Sequence, residues 1–225
     1  MYLVANDNSS FFLLSALWYE FPEHFDALKG SDSQYLFGDS LLVTPVMEPN
    51  VTTVKGFFPK NGAPWRNIYS HETLDTEYDT NSTISAPLST INVHMRAGSA
   101  FLTYQDVKYT TKETRDGQYS MLVSLTDDET AKGDAYLDDG VSFNATSKDL
   151  TFNVSNSTLS TTAAGEYAIN QTLGSVTILG VKSQPQNVTV MGSAASNFTY
   201  EEALQRLNVT ALQGDLNNDF SLNWA

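Results

Sequence analysis

The 225-residue sequence contains no cysteine. Disulfides and thiolate metal sites are therefore excluded, but the compartment is not fixed, because a chain of this size can bury a core without bridges. Positive charge is scarce: 12 Lys and Arg stand against 26 Asp and Glu, a formal net charge of −14. Nucleic-acid binding needs a basic surface to displace counterions from phosphate, so no nucleic-acid partner is expected. Anionic membrane surfaces are disfavoured on the same ground, and no run is long and apolar enough for a membrane span. The start, Met1-Tyr2-Leu3-Val4, soon meets Asp7. Without a basic region ahead of an apolar core it does not read as a signal peptide, so secretion of a parent protein would rely on a signal further upstream. Aromatic and aliphatic residues are plentiful, enough to bury one large domain or two small ones.

Residues 11–21 form a nearly continuous apolar run that stops at Pro22. Its aromatic content favours a strand buried on both faces, as in parallel sheets. Residues 31–38 read as one or two helical turns, with Ser31 as N-cap and Gly38 as stop. From Leu41 the apolar period becomes two. Leu41–Val46, Val54–Phe58, Trp65–Tyr69, Ile91–Arg96, Tyr119–Leu125 and Asp134–Leu137 read as strands, with Pro59-Lys60-Asn61-Gly62 and Asp138-Asp139-Gly140 as turns. The last third is rich in Ser, Thr and Asn, yet Leu150, Phe152 and Val154 alternate with polar residues, as do Val176 and Ile178, Val188 and Val190, and Leu207 and Val209. That alternation argues for a folded β-sandwich rather than disorder. The composition shift near Phe143–Ser147 is read as a domain boundary.

Five ordered motifs carry a family resemblance. They are Ala16-Leu17-Trp18-Tyr19-Glu20-Phe21-Pro22; Gln34-Tyr35-Leu36-Phe37-Gly38 with Leu41-Leu42-Val43-Thr44-Pro45-Val46; Phe57-Phe58-Pro59 with Trp65; Ala86-Pro87-Leu88 with Ile91-Asn92-Val93-His94-Met95-Arg96-Ala97-Gly98; and Ala135-Tyr136-Leu137-Asp138-Asp139-Gly140. In this order they resemble the C-terminal region of a fungal-type α-glucosidase or glucoamylase of glycoside hydrolase family 31. The resemblance implies a mainly β fold: two antiparallel β-sandwich domains preceded by the last strand and short helix of a (β/α)8 barrel. It divides the chain into a barrel remnant at 1–40, a proximal sandwich at 41–143 and a distal sandwich at 144–225. It also implies an upstream catalytic barrel as partner, α-glucan as a possible ligand, no cofactor, and a secreted or cell-surface parent.

Retaining glycosidases of this type need two carboxyl groups flanking the scissile bond, one as nucleophile and one as acid. The family's Trp-x-Asp-Met-Asn-Glu and Trp-x-Gly-Asp motifs do not occur, so no catalytic residue is assigned. Asp138 and Asp139 are read as turn residues rather than an acid and base pair. Glu20, inside the expected barrel strand, is read as a loop-holding carboxylate that needs hydrogen-bond partners. His94 and Arg96 are read as a solvent-facing alternation. His24 and His71 have no i, i+4 partner, so no metal site is assigned. Trp65, Tyr69 and Trp224 are weighed as a sugar-stacking platform and read instead as packing residues.

Asn-x-Ser/Thr sequons begin at Asn8, Asn50, Asn81, Asn144, Asn153, Asn156, Asn170, Asn187, Asn197 and Asn208. Each is a glycan acceptor if the chain passes through a secretory pathway. The competing reading is that strand alternation spells Asn-Val-Thr by itself, as at Asn50, Asn187 and Asn208. An unpaired barrel strand would leave a sticky edge, so association through residues 1–22 is expected.

Overall fold

Period-two alternation of more and less buried side chains marks Lys148–Ser155, Asn197–Glu201, Arg206–Thr210 and Phe220–Trp224, whereas Leu41–Thr44 and residues 92–95 and 99–102 are buried without a break. The computed structural model describes residues 14–24, 32–60 and 63–225. The described residues fall into two units, one ending at Ala97 and one running Gly98–Ala225.

The first unit holds β1 (Leu14–Ser15), a helical turn α1 (Leu17–Glu20), β2 (Tyr35–Phe37), β3 (Leu41–Thr44), β4 (Thr53–Phe57), β5 (Trp65–Asn67), β6 (Asn81–Ser85) and β7 (Asn92–Arg96). One antiparallel sheet has the order β1-β2-β3-β7-β5, and β4 pairs with β6 as a separate ribbon. Leu36, Leu42 and Trp65 from the sheet share a core with Phe57 and Ile84 from the ribbon, joined by Leu17 and Phe21. Burying each of these large side chains contributes about 1.5–3 kcal/mol, so the ribbon and the α1 turn are held chiefly by apolar contact.

Two local expectations are corrected here. The apolar run was expected to be one buried strand, but its described part is a two-residue strand followed by α1, with Leu14, Trp18 and Tyr19 exposed. Residues 11–13 lie outside the described residues. The expected helix at 31–38 is strand β2, in which buried Leu36 lies between more exposed Tyr35 and Phe37. Pairing with β3 overrides the cap and stop signals there. Gly38, at φ +64°, turns the chain from β2 into β3 instead of ending a helix. Ser31, Asn61 and Gly62 also lie outside the described residues.

The second unit holds β8 (Ser99–Tyr104), the short helix α2 (Thr111–Arg115), β9 (Tyr119–Ser124), β10 (Ala131–Leu137), β11 (Lys148–Ser155), β12 (Thr158–Gly165) and β13 (Thr172–Leu179). There follow β14 (Val188–Val190), β15 (Ser193–Ala194), β16 (Asn197–Glu201), β17 (Arg206–Thr210), β18 (Gly214–Asp215) and β19 (Phe220–Trp224). They form one sheet path, β15-β14-β19-β12-β11-β10-β8-β9-β13-β17-β16, with β18 pairing to β13. Residues from both limbs of this path share one core: Val123, Ile178 and Leu207 from one, Phe152, Leu159 and Leu222 from the other. The sheet therefore folds over on itself as a sandwich. The fold line is the junction of β10 with β8, a parallel contact with a single residue pair, Lys132 opposite Ser99.

The sandwich is not purely antiparallel, because β9 and β13 also run parallel over six residue pairs. The composition shift at 143–147 does not separate the units. It lies in the loop between β10 and β11, which pair along their whole length inside the second unit. Two-residue turns close the hairpins: Asn156 and Ser157 both have positive φ between Ser155 and Thr158, as do Met191 and Gly192 between Val190 and Ser193. This is the type I′ geometry that matches strand twist.

Candidate functional site

The motif side chains of the first unit meet in its core. Gln34 is buried. Its Oε1 accepts from the Phe57 N–H at 2.6 Å, and its Nε2 donates to Thr44 Oγ1 at 2.9 Å and to the Phe57 carbonyl at 3.4 Å. The amide thus pairs with a peptide group of β4 and ties the ribbon to the sheet. A Cβ on Gly56 would come within 2.7 Å of Gln34 Nε2, so that close approach needs glycine. Trp65 is fully buried, and its Nε1 donates to the Pro59 carbonyl at 2.7 Å. Arg96 lays its guanidinium over the Phe21 ring, 4.8 Å from the centroid, and Phe21 meets Trp65 edge-on.

The structure corrects the solvent-facing reading of His94. This residue is 2% exposed, and its ring meets Phe58 edge-on at 5.5 Å. The reason is that both faces of the interior strand β7 are covered, so that Asn92–Met95 are all buried, with Phe58 against His94. Burial pushes the His94 pKa down to about 4, and its Nδ1 has no hydrogen-bond partner. Arg96 is half-buried rather than free in solvent.

Glu20 ends the α1 turn rather than lying on a strand. Burial raises its pKa, the nearby Asp39 carboxylate adds to the rise, and Arg96 opposes it. Asp39 itself accepts from Ser40 Oγ at 2.5 Å. Asp138 and Asp139 are held by their own turn. Asp138 Oδ1 accepts from the Gly140 N–H, while Asp139 accepts from the Val141 and Ser142 N–H groups and from Ser142 Oγ. Those bonds, led by the Ser142 hydroxyl, hold the Asp139 pKa down to about 2. The Arg115 guanidinium reaches the Asp138 carbonyl and occupies the space a Cβ on Gly140 would need. An aspartate so committed to the ionised form is a poor general acid.

The three aromatic candidates do not form a platform. Trp65 and Trp224 are buried, at 0% and 5% exposure. Tyr69 is exposed, but β5 ends at Asn67, whose Oδ1 accepts from the Tyr69 and Ser70 N–H groups and turns the chain. His24 lies 3.7 Å from Asp79 and 3.8 Å from Glu23. His71 sits in the turn after β5 at φ +65°. Among the described residues no group of three or more His, Asp or Glu side chains could hold a metal ion, and no helix is long and apolar enough to cross a membrane.

One pairing went unnoticed in the sequence. Asn217 donates to the Ile169 carbonyl and accepts from its N–H, both at 2.8 Å, and so ties the turn between β18 and β19 to the loop before β13. Its only sequence signal is an amide side chain between two aspartates, Asp215 and Asp219. Of the sequon asparagines, Asn8 lies outside the described residues. Asn50, Asn81, Asn144, Asn153, Asn156, Asn170, Asn187 and Asn197 are exposed, and Asn208 is half-buried.

Fold and side-chain use together define a scaffold: two β-rich units whose motif residues serve internal packing. Comparison with known proteins gives the scaffold its family. The model of the glycosyl hydrolase family 31 C-terminal domain matches residues 12–101. An α-glucosidase of Candida tsukubaensis is 45% identical over 203 residues, covering 90% of this chain and 19% of that enzyme. An α-glucosidase of Schizosaccharomyces pombe is 43% identical over 203 residues, and a glucoamylase of Schwanniomyces occidentalis is 37% identical over 218. The chain belongs to glycoside hydrolase family 31 and corresponds to the C-terminal region of its fungal α-glucosidases and glucoamylases. It spans about a fifth of the length of these relatives. The fold also matches a solved glucosidase II α subunit, with a TM-score of 0.81 at 21% identity over 95% of this chain and 26% of that one.

Proposed function

We propose that this chain is the non-catalytic C-terminal part of a retaining α-glucosidase-type hydrolase. The whole enzyme would remove terminal α-linked glucose from oligosaccharides in carbohydrate metabolism, as a secreted or cell-surface protein. Its two reacting carboxyl groups would stand on an upstream (β/α)8 barrel. The observation that carries this reading is the coverage: some nine-tenths of the chain aligns with about a fifth of each enzyme. The uses found for the local carboxylates support it, since Asp138 and Asp139 serve a turn. In this reading residues 1–40 are the remnant of the barrel, its last strand and sequel, and a proximal and a distal sandwich follow, with the division moved from 143/144 to Ala97–Gly98. Exposed Leu14, Trp18, Tyr19 and Tyr35 are then the apolar face that meets the barrel.

The test is an assay of the pure chain on maltose and on a chromogenic α-glucoside. No turnover is expected, and turnover that survives rigorous purification would overturn the assignment. Measurable affinity for maltooligosaccharides would point instead to a free-standing α-glucan-binding module. A reading frame upstream of Met1 encoding a barrel with the Trp-x-Asp-Met-Asn-Glu motif would support the parent enzyme. An interrupted frame would make the chain a truncated gene product.

A further inference from the structure

Ten of the seventeen asparagines begin an Asn-x-Ser/Thr sequon. Ser and Thr fill 47 of the 225 positions. Composition alone would therefore place roughly three or four asparagines in the pattern. Strand alternation accounts for the excess only where the asparagine lies within a strand. Asn50 stands in the turn between β3 and β4, Asn144 in the loop between β10 and β11, and Asn156 at the tip of the β11–β12 hairpin. Asn170 and Asn187 lie in the loops leading into β13 and β14. All five are exposed, and alternation explains none of Asn50, Asn144, Asn156 and Asn170; Asn187 extends the β14–β19 pairing through reciprocal backbone bonds with Ala225, so its Asn-Val-Thr fits alternation as well as a glycan site.

Asn208 differs. It is mid-strand on β17, half-buried, with Thr177 of β13 on one side and Thr199 of β16 on the other. Thr177 Oγ1 donates to Asn208 Oδ1 at 3.1 Å, and Asn197 Nδ2 donates to Thr210 Oγ1, the hydroxyl of the Asn208 sequon, at 2.8 Å. Cross-strand neighbours on this face are only about 5 Å away. A sugar on the Asn208 amide would crowd Thr177 and Thr199 and strain the Thr177 hydrogen bond.

We infer that the fold sorts its sequons: the loop and turn asparagines Asn50, Asn144, Asn156, Asn170 and Asn187 carry N-linked glycans, and Asn208 stays bare. This rests on the secretory reading of the parent. In the reaction the Asn Nδ2 bonds to the anomeric carbon of a lipid-diphosphate-linked oligosaccharide. The carbon–oxygen bond to the diphosphate breaks, the lipid diphosphate leaves with the bonding pair, and the amide gives up one proton to a base. No electrons are exchanged with an outside oxidant or reductant. Glycans at Asn156, Asn170 and Asn187 would solvate a last third rich in Ser, Thr and Asn in place of charge.

The experiment delivers the full 225-residue chain to the secretory pathway of a yeast host behind a heterologous leader. It is thus independent of where the parent resides. Folded secreted chain is treated with peptide N-glycosidase in heavy-oxygen water, and peptides are read by mass spectrometry. Heavy aspartate is expected at the five loop positions and ordinary asparagine at 208. Full labelling at 208 in folded chain, or no label at the five loop positions, would overturn the sorting. As a check by mass, Asn187→Gln should lose one glycan and Asn208→Gln none. A failure of the secretory reading shows separately, as a parent found only in the cytosol.

Discussion

His94 lies on the interior strand β7 with its Nδ1 buried and unpaired, and burial holds its pKa near 4 against 6.5 for a free imidazole. The sign follows directly. Between pH 6.5 and 4 the unfolded chain takes up a proton that the folded chain does not, so acid favours unfolding. Stability is full above pH 6.5, falls as pH drops towards 4, and loses no more from this group below that. The total loss is on the order of 3 kcal/mol. Asp139, held to about 2, acts in a separate window, its contribution falling only as pH drops from 3.8 through 2. Urea unfolding at pH 7.5 and 4.5 checks this: the midpoint of the native chain should drop, and that of His94→Leu should drop much less. Equal drops in both would show that the imidazole is not the source. Gln34, Trp65 and Arg96 were all legible as motif letters, but their partners were not. Phe57, Pro59 and Phe21 are 23, 6 and 75 residues away in sequence, brought close only by the packing of the sheet, the ribbon and the α1 turn around one core.

At the scale of elements, the fold line of the second sandwich depends on one glycine. A Cβ on Gly133 would lie 1.9 Å from the Ala100 carbonyl oxygen, so β10 can reach β8 only without a side chain there. Lys132 N–H donates to the Gly98 carbonyl at 2.9 Å beside it. Gly133→Ala must push the two limbs apart and is expected to cost about 3 kcal/mol through overpacking. A thermal melt of the variant should show a clear fall in Tm, and a Tm matching the parent chain's would rule out the tight junction. The strands here were largely readable: the alternation of Leu150, Phe152 and Val154 in β11 appears as buried residues flanked by exposed ones. The segments misread are the described part of the apolar run at 11–21, which is apolar without alternation, and the stretch at 31–38, whose only apolar residues are Tyr35, Leu36 and Phe37. Too few residues repeat in them for a period to decide between helix and strand.

Over the whole molecule, exposed apolar side chains are scattered, but those at residues 14–19 adjoin a sheet edge. Leu14 is 57% exposed, Trp18 46% and Tyr19 49%, and β1 forms an edge of its sheet. An edge strand beside exposed aromatics invites a second chain. The isolated protein is therefore expected to self-associate, with Trp18→Ser and Tyr19→Ser together shifting it towards monomer. Light scattering across a concentration series measures this, and a strictly monomeric native chain would contradict it.

By itself the sequence determined the class of fold, because period-two burial is a local pattern that one strand displays without its neighbours. It also determined the family, through motifs whose order survives in the linear chain. Tertiary structure decided the roles of those motif residues. Whether His94 faces water depends on Phe58, whose ring packs against it, and whether Trp65 can stack on a sugar depends on its burial in the core of the first unit. It also decided where the units divide. The composition shift at 143–147 looked like a boundary, but the division falls at Ala97–Gly98. Backbone pairing of β10 with β11 joins the residues on either side of the shift, and a backbone hydrogen bond is indifferent to side-chain composition.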